Sequence, residues 1–198
     1  SDAPRAAAVR AIETSQLLCV RRETLEALAA TTPAIGQQLG EFCRARMLAT
    51  LVRSSTILGA VGPEERNQII DLFGTRSFER GETLVREGDE AAGLFLIASG
   101  GVSVIGKDAD GDDIILADLG PGDVVGEISL VLRRPATATV VAAHPTIALE
   151  LTRDRFQAAI RQHPMLLTEL YDVAVKREEE TRSVVAQEAL DVSDVVLI

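Results

Sequence analysis

Between residues 76 and 151 the chain is broken at short intervals by glycine: Gly81, Gly88, Gly93, Gly100-Gly101, Asp110-Gly111, Gly120-Pro121-Gly122 and Gly126. The intervals hold short apolar or alternating runs, such as Leu94-Phe95-Leu96-Ile97 and 102–105. A helix is weakened at every glycine and broken at proline, whereas short strands joined by tight turns suit this spacing. The stretch predicts a many-stranded sandwich or barrel. Asp110-Gly111 marks a hairpin tip between strands at 102–105 and 114–116. The acidic run Asp108–Asp113 has the outline of a calcium loop, but it lacks the glycine at the sixth position, and Leu119 stands where the twelfth-position glutamate belongs. A hairpin turn explains it better.

Helical signals flank this region. On the amino-terminal side, residues 5–12 and 16–20 read as two short strands around a turn at Glu13-Thr14-Ser15, followed by a helix over 23–30. Thr32 and Pro33 then open a longer helix over 33–57, with Ile35, Leu39, Phe42, Leu48, Leu51 and Val52 on its apolar face. Gly62-Pro63 starts another helix, to which Ile69, Ile70, Leu72 and Phe73 supply an apolar face. On the carboxyl side Thr152-Arg153-Asp154 opens one helix. Pro164 opens a second, running towards Leu190 with Leu166, Leu170 and Val173 on one face. Glu178-Glu179-Glu180 beside Lys176-Arg177 reads as its solvated face. The acidic stretch from Asp191 ends in an apolar tip, Val195-Val196-Leu197-Ile198, a sequence that packs on its own domain or docks on a partner.

Composition narrows the function. A net charge of −10 argues against a nucleic-acid surface and against an anionic membrane. Five Phe, one Tyr and no Trp leave little material for stacking nucleobases. Cys19 and Cys43 are isolated and read as buried free thiols of a reducing compartment. His144 and His163 are too few for a metal site. No apolar run reaches about 18 residues and no signal peptide opens the chain, so a cytoplasmic location is expected. No nucleophile–base arrangement supports an enzyme.

The stretch Gly126-Glu127-Ile128-Ser129-Leu130, followed by Ala136-Thr137-Ala138-Thr139-Val140, resembles the phosphate-binding cassette of the cyclic nucleotide-binding domain family. Arg86-Glu87-Gly88-Asp89, Ser99-Gly100 and Leu119-Gly120-Pro121-Gly122-Asp123 extend the resemblance over about 57–163. It implies an α+β, mostly β fold: a β-roll (a double-stranded β-helix, jelly-roll-like) flanked by N- and C-terminal helices. It also implies cyclic AMP or cyclic GMP as ligand, with no cofactor. In such a cassette the cyclic phosphate sits on backbone N–H groups at a helix N-terminus. Gly126 allows the close approach, Ile128 and Ser129 begin the helix, and Glu127 matches the family's acceptor for the ribose 2′-hydroxyl. Thr137 matches a position that contacts guanine. Where the family places an arginine on the phosphate, this chain has Ala136. Losing such a charge-assisted bond costs about 1.5–3 kcal/mol. Three readings stay open: Arg133 or Arg134 substitutes from the preceding loop, the site binds more weakly or binds something else, or it is empty and the fold serves as a ligand-free scaffold or dimerisation module.

Residues 4–39 repeat at 135–170 with a constant offset of 131. Pro4-Arg5-Ala6-Ala7-Ala8-Val9 lies over Pro135-Ala136-Thr137-Ala138-Thr139-Val140, Arg22 over Arg153 and Pro33 over Pro164. A repeat of this length signals tandem copies of one domain. The expected organisation is the remnant of a first domain over 1–32, carrying the phosphate arginine as Arg5, then a connecting helix over 33–57, a complete domain over 58–163, and a C-terminal helix and tail over 164–198. The helices at 33–57 and 164–190 are expected to relay ligand binding to a neighbouring domain, a protein partner or a second copy in a homodimer. A regulator of the catabolite-activator type needs a helix-turn-helix after the long helix, where few residues remain.

Overall fold

The computed structural model describes residues 10–32, 34–38, 47, 49, 51, 54–59, 62–90, 92–108 and 110–195, with side chains as far as 186 except at 22, 26, 56, 63 and 67. They belong to two compact units, one within 4–50 and the other from Leu51 onward.

In the first unit a helix forms as expected, α1 (Arg22–Thr31). The strand expected at 16–20 does not: this segment is neither strand nor helix, and Leu17, Leu18 and Val20 are exposed. Nor do residues 10–12 form a strand. A short apolar run forms a strand only when neighbours supply its hydrogen bonds, and among the described residues none pairs with this one. Cys19, expected to be buried, is exposed as a consequence. Ser15 Oγ donates to the Glu13 carbonyl at 2.9 Å and holds the expected turn. Thr32 ends α1, and its carbonyl accepts from the N–H groups of Ile35 and Gly36 at 2.9 and 3.4 Å, at the start of the helical residues 34–38. Arg5, Pro33, Cys43 and most of the expected 33–57 helix lie outside the described residues, although 34–38 are helical.

The second unit begins with α2 (Thr56–Gly59) and α3 (Pro63–Asp71), whose Pro63 occupies the first turn. Eight strands follow: β1 (Gly74–Phe78), β2 (Thr83–Val85), β3 (Gly93–Ser99), β4 (Val102–Lys107), β5 (Asp113–Leu119), β6 (Val124–Val125), β7 (Thr139–Ala142) and β8 (Thr146–Thr152). The helix α4 (Glu127–Leu132) interrupts them, and α5 (Arg153–Gln162) and α6 (Pro164–Val195) close the unit. The hairpin at Asp110-Gly111 forms as expected. Asp108 Oδ1 accepts from the N–H groups of Asp110 and Asp112 at 2.9 and 2.8 Å, and β4 pairs with β5 on either side.

The expected closed, mostly β roll is not what these strands build. They form two open, antiparallel four-stranded sheets, in the orders β1-β8-β3-β6 and β2-β7-β4-β5, and neither curls round to join its own edges. The two-residue β6 and three-residue β2 are too short to extend either edge. Helix is prominent as well: α6 spans 32 residues while no strand exceeds seven. The fold is therefore mixed α/β.

Between the sheets Phe78, Phe95, Ile97, Val102, Val125 and Val140 form the core, with the Phe78 and Phe95 rings edge to face at 5.9 Å. β3 is buried along nearly its whole length, as its unbroken apolar run requires. The first half of α6 buries Leu166, Leu170 and Ala174. Each buried leucine contributes about 1.5–3 kcal/mol, which anchors α6 against α4 and α5.

Candidate functional site

The turn into α4 sets the site. Gly126 is its N-cap in the left-handed region, φ 88°, and a Cβ there would meet the Gly93 carbonyl oxygen at 2.5 Å. Only glycine suits both conditions. The turn delivers Glu127 as the first residue of α4, 2% exposed. Glu127, Ile128, Ser129, Ala136 and Thr137 all border one cleft of about 750 Å³, together with apolar side chains of β2, β4, β5 and β7. The 750 Å³ includes space open to solvent, and the enclosed part is about 120 Å³. The first-turn N–H groups of a helix have no intrahelical acceptor, and those of α4 begin at this cleft. Ala136 is buried and fixed by its backbone, its N–H donating to the Asp89 carbonyl and its carbonyl accepting from the Gly88 N–H. No aromatic side chain borders the cleft among the described residues.

Three residues of α6 complete the cleft: Arg177, Glu180 and Thr181. Arg177 Nη1 donates to Glu127 Oε1 at 2.7 Å and to the Val124 carbonyl, and Nη2 lies 3.7 Å from Asp123 Oδ1. Glu127 therefore already has a guanidinium partner at its carboxylate. Burial pushes the Glu127 carboxyl above the ordinary carboxylate range, and Arg177 opposes part of that rise.

Arg134 takes a different direction from the other candidates. It borders a second hollow on the far side of α4, as does Arg133. Its Nη2 donates to Glu178 Oε1 at 2.8 Å, and this bond holds the Glu178 carboxyl below its usual range. Consecutive residues of α6, Arg177 and Glu178, thus tie down the residues at the two ends of the cassette helix.

The expected solvated face of α6 is corrected here: Arg177 and Glu178 turn inward. A signal existed in the sequence. Leu166, Leu170 and Ala174 form a buried helical stripe, and the same spacing continues into Arg177 and Thr181. A charge that continues a core stripe calls for a buried partner.

Among the described residues no cluster of His, Cys, Asp and Glu is arranged to hold a metal, and no helix is long and apolar enough to cross a membrane. The family model described as cyclic nucleotide-binding domain matches residues 75–163. The chain is 31% identical over 146 residues to the cAMP-dependent protein kinase type II regulatory subunit of Drosophila melanogaster, a match covering 74% of this chain and 36% of that protein. It is similar to the crystal structure of the Thermus thermophilus catabolite activator protein, with a TM-score of 0.59, 31% identity, and coverage of 71% of this chain and 63% of that one. It is also similar to the regulatory subunit of a cAMP-independent protein kinase A from Trypanosoma cruzi bound to guanosine, with a TM-score of 0.58, 27% identity, and coverage of 75% and 52%. The chain thus spans only about a third to two thirds of each relative's length. The family model lies over the strands and the cassette, and a regulatory subunit and an activator protein are among the relatives, so residues 75–163 are similar to a cyclic nucleotide-binding domain.

Proposed function

We propose that this chain is a regulatory module whose cleft accepts the nucleoside part of a cyclic nucleotide but has no cation to spare for the phosphate. The observation that carries this reading is the Glu127–Arg177 pair at 2.7 Å. The charged residues bordering the cleft are Glu127, Glu180 and Arg177, which leaves one negative charge in excess. Ala136 stands at the position of the family's phosphate arginine, and Arg134 is engaged by Glu178. A cyclic phosphate then has backbone N–H groups alone, while a neutral nucleoside avoids the repulsion. The guanosine in the Trypanosoma cruzi relative supports the same class of ligand. A ribose hydroxyl that donates to Glu127 competes with Arg177. Occupancy therefore biases the position of α6 and, through 164–190 and 33–57, a neighbouring domain or protein partner in the cytoplasm.

Calorimetry with guanosine, adenosine and the two cyclic nucleotides tests the reading. Saturable heat with a nucleoside, lost in Glu127→Ala, supports it. No heat from any of the four up to millimolar concentration overturns it and leaves the second reading, a ligand-free scaffold. That alternative draws on the same pair, because Arg177 already occupies the carboxylate that a ligand needs.

The tandem arrangement belongs to this proposal. α1 and α5 are each ten residues long and begin and end at the same repeat positions, 131 residues apart. Their C-caps have φ, ψ of −134°, 88° at Thr32 and −129°, 75° at His163, and in both the cap N–H donates to the carbonyl four residues back. These matching ends support the reading of 4–32 as the tail of a first copy, its helix kept although residues 10–12 and 16–20 form no strand, with Arg5 in the phosphate position.

A further inference from the structure

The second hollow, of about 1,360 Å³, is bordered by four arginines in a chain whose net charge is −10: Arg133, Arg134, Arg153 and Arg161. Two of them are engaged, Arg134 by Glu178 and Arg153 with Glu90 at 3.3 Å. Among the described residues Arg133 and Arg161 have no ion-pair partner, and both are exposed. Arg134 Nε is buried without an acceptor. Arg133 is also the one non-glycine residue with positive φ among those described, at 52°. Glycine holds such a conformation without strain, so the arginine there is retained at a conformational cost of about 1–3 kcal/mol. Between the arginines the walls are apolar, with buried Leu130 and Phe156 and half-exposed Leu167.

A hollow with free guanidinium groups and apolar walls fits a segment that interleaves acids with aliphatic residues. The chain carries one: Glu188-Ala189-Leu190-Asp191-Val192-Ser193-Asp194-Val195-Val196-Leu197-Ile198. Its helical part, 188–195, lies away from the hollow of its own molecule: α6 leaves the hollow at Leu167 and continues to Val195, and at about 1.5 Å per residue this carries residues 188–195 roughly 30–40 Å away. We infer that the arginine-lined hollow receives the 188–198 segment of a second copy, so that two chains exchange tails in a two-fold dimer. In this exchange the acids of 188–198 are opposite in charge to Arg133 and Arg161, and its aliphatic residues match the apolar walls around Leu167.

Charge reversal tests this in the full chain by analytical ultracentrifugation over a concentration series, with circular dichroism confirming the fold. The wild type is expected to dimerise reversibly. Arg133→Glu with Arg161→Glu, and separately Asp191→Lys with Asp194→Lys, should each weaken the dimer roughly tenfold or more, because like charges then meet at both contacts. Mixing the two variants should restore association, since both contacts of the heterodimer are complementary again. A labelled peptide of residues 186–198 should bind the wild type and not the arginine variant. A wild type that stays monomeric and does not bind the peptide overturns the inference. So does a dimer indifferent to the reversals, or a mixture that fails to associate.

Discussion

One short helix separates two hollows of opposite electrostatic character. On the cleft side of α4 stands a single guanidinium, Arg177, neutralised by Glu127 at 2.7 Å. On the other side stand four arginines. Ser129 borders both. The contrast rests on a displacement of only two or three residues along the loop after α4. The proposed reading puts the anion-binding guanidinium of the cassette at 136, where this chain has Ala136; its arginines at 133 and 134 border the other hollow. Having an arginine near the cassette is not enough. The direction in which the backbone presents it decides which hollow can hold an anion.

The sharpest way to break the contrast is to remove the cation from the cleft. Arg177→Met leaves Glu127 buried beside an apolar chain, and uncompensated burial of that kind costs about 3–5 kcal/mol. Urea denaturation should show it. The pH dependence has a definite sign. Because burial raises the folded-state pKa of Glu127 above the ordinary 4.5, the folded state holds the proton more tightly than the unfolded state. The stability contributed by this group is present at low pH and is lost as pH rises through the folded value. Without Arg177 that value rises further, so the variant should lose more stability than the wild type as pH rises above 4.5. A flat difference between the two would mean that the pair is not the cleft's electrostatic anchor.

Gly126→Ala disturbs the partition between the hollows itself. A Cβ 2.5 Å from the Gly93 carbonyl at φ 88° forces the turn to move, at a cost of about 1–3 kcal/mol. The same substitution should weaken whatever ligand the cleft holds. An unchanged melting temperature would contradict the close approach. The smallest effect belongs to the tie on the groove side. Arg134→Met or Glu178→Gln should shift the denaturation midpoint far less than Arg177→Met, because the Arg134–Glu178 bond is partly exposed and screened. Arg134 depresses the Glu178 carboxyl, so this tie is present at neutral pH and is lost as pH falls through the folded value of Glu178.

Much of the second unit was legible from the sequence, for identifiable reasons. The run Leu94–Ile97 announced a buried strand, Asp110-Gly111 a hairpin, and Pro63 and Pro164 helix starts, because each signal is local. The cassette residues gather at one cleft because Gly126, a local feature, sets the turn. What failed depends on distant partners. Whether strands close into a roll depends on register between edges far apart in sequence, and here the sheets stay open. Residues 16–20 have the apolar run of a strand but form none, because a strand needs neighbours and the described residues offer it none. The exposure of Cys19 follows from that. Arg177 lies among the charges of 176–180, whose pattern alone reads as a solvated face; the stripe of Leu166, Leu170 and Ala174 aims it at Glu127.

The central claim is that the cleft lacks a cation for an anionic ligand and that one arginine on the cleft side would supply it. Calorimetry of cyclic GMP and of its uncharged nucleoside against the wild type and Ala136→Arg tests this directly. The account predicts that the wild type prefers the nucleoside, and that Ala136→Arg improves cyclic GMP binding about ten- to a hundredfold while leaving nucleoside binding nearly unchanged. A wild type that binds cyclic GMP as tightly as Ala136→Arg does would contradict it.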